Sequence, residues 1–205
     1  MSNRLANKRV LVSQANDFMG PVTTDFFRSE GAEVIASTQN LISAQECQDL
    51  VDSAGDIDVL VANLAGPTNT GIQVTDLSDQ QWSSGFRYMV DPLHWLTQAV
   101  LPQMIKRKTG KIVVYGSAAG LKGMKTVAAY SAARAAQIGY VRAVGVEVAA
   151  HNIQMNLIAQ NYVENPDYYP PELMQKESFA KSLRRQVPAG RLGTSEEDAA
   201  FALFL

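Results

Sequence analysis

Glycine is scarce where a chain of this pattern most needs it. The segment after the first apolar run, Ser13-Gln14-Ala15-Asn16-Asp17-Phe18-Met19-Gly20, ends on its single glycine. A turn that seats a pyrophosphate at a helix start uses glycines so that the backbone can approach the ligand, and here Gln14 and Phe18 occupy two of those places. Gly20, at the position that packs helix against strand, remains. The pattern reads as a dinucleotide-binding scaffold whose nucleotide pocket has another use. Cysteine is nearly absent: Cys47 stands alone, which excludes an intrachain disulfide and suits a reducing cytoplasm. The two histidines, His94 and His151, lie outside any metal-ligand pattern, so no metal is expected. Neither charge dominates, with 18 basic against 20 acidic residues and a net charge of −2, so there is no general electrostatic attraction to nucleic acid. The amino terminus is polar and no apolar run reaches membrane-spanning length, so a soluble, cytoplasmic protein with no membrane partner is expected.

What is present is enough for one core. At 205 residues and 46% hydrophobic content, positions 1–205 suit a single domain that needs neither disulfide nor metal. Short β-branched runs at Val10–Val12, Glu33–Ala36, Asp58–Ala62, Lys111–Tyr115 and Ile153–Ile158 predict buried parallel strands. The intervening segments Thr23–Ser29, Ala44–Ser53, Ser78–Arg107 and Ser131–Ala150 predict crossover helices, with an irregularity near Pro92. Lys106-Arg107-Lys108 suits a helix end, where cations complement exposed carbonyls. The fold class is α/β, a Rossmann-like, doubly wound parallel sheet.

In such a sheet ligands bind beyond the carboxyl ends of the strands. The second strand is followed by Ser37-Thr38-Gln39-Asn40, with no acid to grip a ribose. Beyond the fourth strand stands Ser117, and a later helical run places Tyr130 and Arg134 one turn apart on one face. A phenol is a poor base near neutrality, and a nearby guanidinium favours its anionic form. Ser117 could then hold a substrate oxygen while Tyr130 exchanges a proton with it. The alternative reading makes Tyr130 and Arg134 an ordinary helix-surface pair and Ser117 a turn residue.

These residues together resemble the short-chain dehydrogenase/reductase superfamily, whose Asn-Asn-Ala-Gly region is similar to Asn63-Leu64-Ala65-Gly66. The superfamily's oxidoreductases use Tyr-x-x-x-Lys, whereas this chain has Arg134, and their helix asparagine falls near Met89. One branch is similar in all these departures, the halohydrin dehalogenases, or haloalcohol halide-lyases. Ser13, Phe18 and Gly20 match that branch's first-turn pattern, and Ser117, Tyr130 and Arg134 match its Ser-x12-Tyr-x3-Arg at full spacing.

The resemblance implies dehalogenation of vicinal haloalcohols to epoxides with no cofactor, and opening of epoxides by small anions in reverse. It implies Ser117, Tyr130 and Arg134 as the catalytic triad, and a halide pocket of Phe18, Leu64, Asn161, Tyr162 and Val163. It also suggests a homotetramer. Two other functions stay open, an NAD(P)-dependent oxidoreductase and an inactive scaffold that only binds a partner. Tyr168, Tyr169 and Pro170-Pro171 suit a substrate wall or a subunit contact. The superfamily continues past Ser195–Leu205 into a final strand, so the chain is expected to be truncated at its C-terminus.

Overall fold

A computed structural model describes residues 3–165 and 168–205. Five strands form one all-parallel sheet: β1 (Arg9–Val12), β2 (Glu33–Ala36), β3 (Val59–Ala62), β4 (Gly110–Tyr115) and β5 (Ile153–Ile158). Their order is β2-β1-β3-β4-β5. The chain winds one way from β1 to β2 and the other way from β3 onward, so the switch point lies between β1 and β3.

Along the inner strands successive side chains point to opposite faces, and both faces are covered. Leu11, Leu60 and Ile112 pack in one cluster with Leu50, Leu96 and Val141 from α2 (Ala44–Ala54), α4 (Asp91–Arg107) and α5 (Ala128–Val148). Val10, Val61 and Val113 pack on the other face with Phe27 of α1 (Gly20–Ser29) and Ala202 of α8 (Ser195–Phe204). Each predicted strand is present within one residue of its expected start. No helix among the described residues is long and apolar enough to cross a membrane.

The helical segment Ser78–Arg107, expected to be irregular near Pro92, is three pieces. α3 (Asp79–Gly85) starts at a capping box in which Ser78 and Gln81 satisfy each other's backbone amides. A π-helical turn, Phe86–Val90, follows and hands over to α4, with Pro92 in the first turn of that helix. Pro92 thus sits where a missing N–H costs least, and the irregularity falls just before it. The remaining helices, α6 (Pro171–Met174) and α7 (Glu177–Gln186), lie between β5 and α8. A second capping box, Thr194 with Glu197, starts α8.

Gly20 begins α1 against the first turn, where an added Cβ would lie 2.6 Å from backbone atoms of Gln14 and Ala15. Backbone cannot swing aside as a side chain can. Gly139, in the interior of α5, has nothing within 4 Å of such a Cβ. Gly20→Ala should therefore lower stability by about 1–3 kcal/mol through overpacking, and Gly139→Ala should raise it by about 0.5–1 kcal/mol. Urea midpoints of the two variants check both signs.

Candidate active site

The site gathers at the carboxyl edge of the sheet. β4 ends at Tyr115, and the chain then turns tightly through Ala118–Gly120. Gly120 lies so close to α5 that a Cβ would sit 2.7 Å from the Ala135 nitrogen and the Arg134 carbonyl carbon. Only glycine permits this approach, which brings Ser117 and the start of α5 to one place. The Ala118 amide donates to the Gln160 carbonyl at 2.9 Å, which joins the turn after β4 to the loop after β5. Ser117 Oγ accepts from the Ala119 amide at 3.1 Å, so its own proton remains available for a ligand.

Arg134 does not lie on a helix surface. It is 1% exposed, and its guanidinium carbon lies 5.2 Å from the centre of the Tyr130 ring. Its Nη1 donates to the Tyr115 carbonyl and to Gln137 Oε1, each at 3.0 Å. Among the described residues no carboxylate comes within ion-pair distance of it. The surface-pair alternative therefore fails on burial.

Ser117 and Tyr130 line one cavity of about 250 Å³ together with Phe18, Asn161, Tyr162 and Val163. Leu64 is a correction: it is fully buried in the core cluster with Leu93 and Leu96, and it does not line this cavity. The apolar residue after the strand-end Asn63 points inward because the sheet's alternation runs on past β3. Thr68, Thr70, Gly116, Ala119, Met124, Lys125, Val127, Gln160, Tyr168 and Tyr169 complete the wall. Most of these sit on irregular loops, where no periodicity marks them; the signal for Tyr168 and Tyr169 was their aromatic cluster. Burial, reinforced by Tyr162 and Tyr130, pushes the Tyr169 phenol up to about 12. A larger groove of about 670 Å³ runs along β5 and α5 but contains none of the proposed triad.

Tyr162 has a left-handed backbone, φ +56°, and its carbonyl accepts from the Gly193 amide at 2.9 Å. The Tyr162 and Val163 amides donate to no other backbone group among the described residues. Both residues line the cavity.

Three contacts bear on whether the switch-point cleft fits a dinucleotide. Gln14 is 8% exposed and its Oε1 accepts from the Ala65 amide at 2.8 Å, so its carboxamide bridges the first turn and the loop after β3. Phe18 places its ring in the wall of the cavity and meets Tyr168 edge-on, the centroids 6.3 Å apart. Arg134, which stands in place of the lysine of Tyr-x-x-x-Lys, is turned inward to Tyr115 and Gln137. The residues present do not fit that group. His94 meets only Tyr140, its Nδ1 3.3 Å from the hydroxyl, and no group of three metal-binding side chains converges among the described residues.

Comparison with known proteins bears on the same scaffold. A 3-oxoacyl-acyl-carrier-protein reductase of Thermotoga maritima is 32% identical, over 98% of this chain and 91% of its own length. A solved structure described as a dehalogenation enzyme superposes with a TM-score of 0.88 at 32% identity, covering 98% of this chain and 91% of that one. A gluconate 5-dehydrogenase from Burkholderia cenocepacia, in complex with NADP and tartrate, reaches the same TM-score of 0.88 at 24% identity, covering 98% and 89%, and speaks for the fold alone. Residues 3–169 match the family model described as short chain dehydrogenase, and the chain belongs to that family.

Proposed function

We propose that this protein converts vicinal haloalcohols to epoxides and free halide without a coenzyme, and that it opens epoxides with small anions in reverse. One observation carries the reading: Ser117 and Tyr130 line a single cavity together with Phe18, Asn161, Tyr162 and Val163, so the residues assigned to proton transfer and those assigned to the anion border one space. The likeness to a dehalogenation enzyme supports it. The identity to reductases favours the second reading, a coenzyme-dependent oxidoreductase. Against that reading stand the buried carboxamide of Gln14 and the inward turn of Arg134.

Ser117 donates its free proton to the oxygen of the substrate hydroxyl. Tyr130, as phenolate, takes the hydroxyl proton, and Arg134 supplies the positive charge beside the ring. The alkoxide oxygen then attacks the neighbouring carbon. A C–O bond forms as the carbon–halogen bond breaks, and the halide leaves with the bonding pair. Attack within one molecule needs no external nucleophile, so positioning, proton removal and halide stabilisation are the enzyme's whole task. Asn161 and the amides of Tyr162 and Val163 receive the halide.

Tyr130→Phe keeps the ring and removes the proton acceptor, and halide release should fall by about 10²–10⁴-fold. Near wild-type turnover in the folded variant would exclude Tyr130 as the base. Titration with NADH and NADPH should give no saturable binding while ring closure proceeds. Stoichiometric coenzyme binding, or turnover that depends on coenzyme, would restore the oxidoreductase.

Bromide should inhibit ring closure and raise the melting temperature, since a ligand at about 100 times its dissociation constant adds about 2.7 kcal/mol to stability. Asn161→Ala should weaken both effects while leaving the melting temperature in halide-free buffer close to that of the unaltered protein. Bromide effects unchanged in that variant would move the anion site elsewhere.

A further inference from the structure

The buried Gln137 joins the site to the π-helical turn. It is 0% exposed and lies one turn after Arg134 on α5. Its Oε1 accepts from Arg134 Nη1 at 3.0 Å, and its Nε2 donates to the Met89 carbonyl at 2.7 Å. Met89 belongs to the Phe86–Val90 turn, so a backbone carbonyl of that turn fixes which end of the amide faces Arg134. The amide has no freedom to flip, because reversal would set its NH₂ against the guanidinium and its oxygen against a carbonyl.

A buried cation is ordinarily paired with an anion. Among the described residues the partners are two neutral oxygens and the face of a phenol ring, and the Arg134 Nε is buried with no hydrogen-bond partner among them. A carboxylate in place of the amide would hold the guanidinium more strongly and would also cancel its charge at Tyr130. Neutral acceptors hold it and leave its field intact.

We propose that Gln137 is a positioning residue of the reaction: anchored on the Met89 carbonyl, it fixes the Arg134 guanidinium beside Tyr130 without neutralising it. The proposal rests on Tyr130 being the base, but its test does not require halide release. The other titratable groups of the cavity are Lys125, from the loop after β4, and Tyr162, Tyr168 and Tyr169, from the loop after β5. In the π turn Arg87 lies over the Tyr88 ring, 5.9 Å from its centre. No carboxylate lines the cavity among the described residues.

The experiment replaces Gln137 by Glu, which keeps the shape and adds a charge, and by Met, which keeps size and neutrality but offers no acceptor. Tyrosinate absorbance is followed against pH, with each protein's own Tyr130→Phe form subtracted to isolate the one phenol. Gln137→Glu should move the Tyr130 transition upward by at least about one pH unit, and Gln137→Met by less. The alkaline limb of halide release should move by the same amount in Gln137→Glu. A transition at the original pH in Gln137→Glu overturns the proposal, because a merely structural residue would alter stability and leave the curve in place. Should Gln137→Glu fail to fold, an unmoved curve in Gln137→Met overturns it equally. If the transition moves while no variant, nor the unaltered protein, releases halide, the positioning role stands and the dehalogenase reading falls.

Discussion

A guanidinium held in the interior with no counter-ion among the described residues is the constraint around which this site is organised. Desolvating an ion costs several kcal/mol even after relaxation, so each atom that offsets the cost is placed by a different part of the fold. The Tyr115 carbonyl comes from the end of β4, Gln137 from the next turn of α5, and the Met89 carbonyl behind it from the π turn before α4. These elements must all be in register before Arg134 can be buried. Gly120 makes this possible, because the turn after β4 touches the α5 backbone directly and carries Ser117 with it.

The first turn solves a related problem in the opposite way. Gln14 and Phe18 have φ of +45° and +51°, left-handed conformations that glycine takes freely and other residues take at a cost of about 1–2 kcal/mol each. The path of a glycine-rich loop is kept while the glycines themselves are gone. Asn63 Nδ2 secures it by donating to the Gln14 and Asp17 carbonyls at 2.9 and 2.8 Å, and Ser13 Oγ donates to the Asn63 carbonyl at 3.0 Å. The strain thus lies in the first turn, where these hydrogen bonds hold it in place.

Much of this was legible in the residues. Parallel strands buried on both faces leave β-branched runs that a reader can find without coordinates, and the Ser117, Tyr130 and Arg134 spacing pointed to the cavity that holds two of the three. Less visible were features set by contact rather than by pattern. A π turn has no periodicity distinct from that of its flanking helices, so Pro92 marked an irregularity in Ser78–Arg107 without revealing its kind. Leu64 looked like a pocket residue because its neighbours resemble a binding loop, yet its side chain follows the sheet's alternation into the core. Gln137 carried no signal at all: a polar residue on a helix is ordinarily solvated, and only its two partners give it a meaning.

Phe18 and Tyr168 come from opposite ends of the sequence and meet edge-on across the cavity rim. An aromatic pair of this geometry is worth about 0.5–1.5 kcal/mol beyond the area it buries, so the two loops that carry these rings are tied together by more than simple burial. The contact ties the first turn to the loop after β5, so the position of each ring in the cavity wall depends on the other loop.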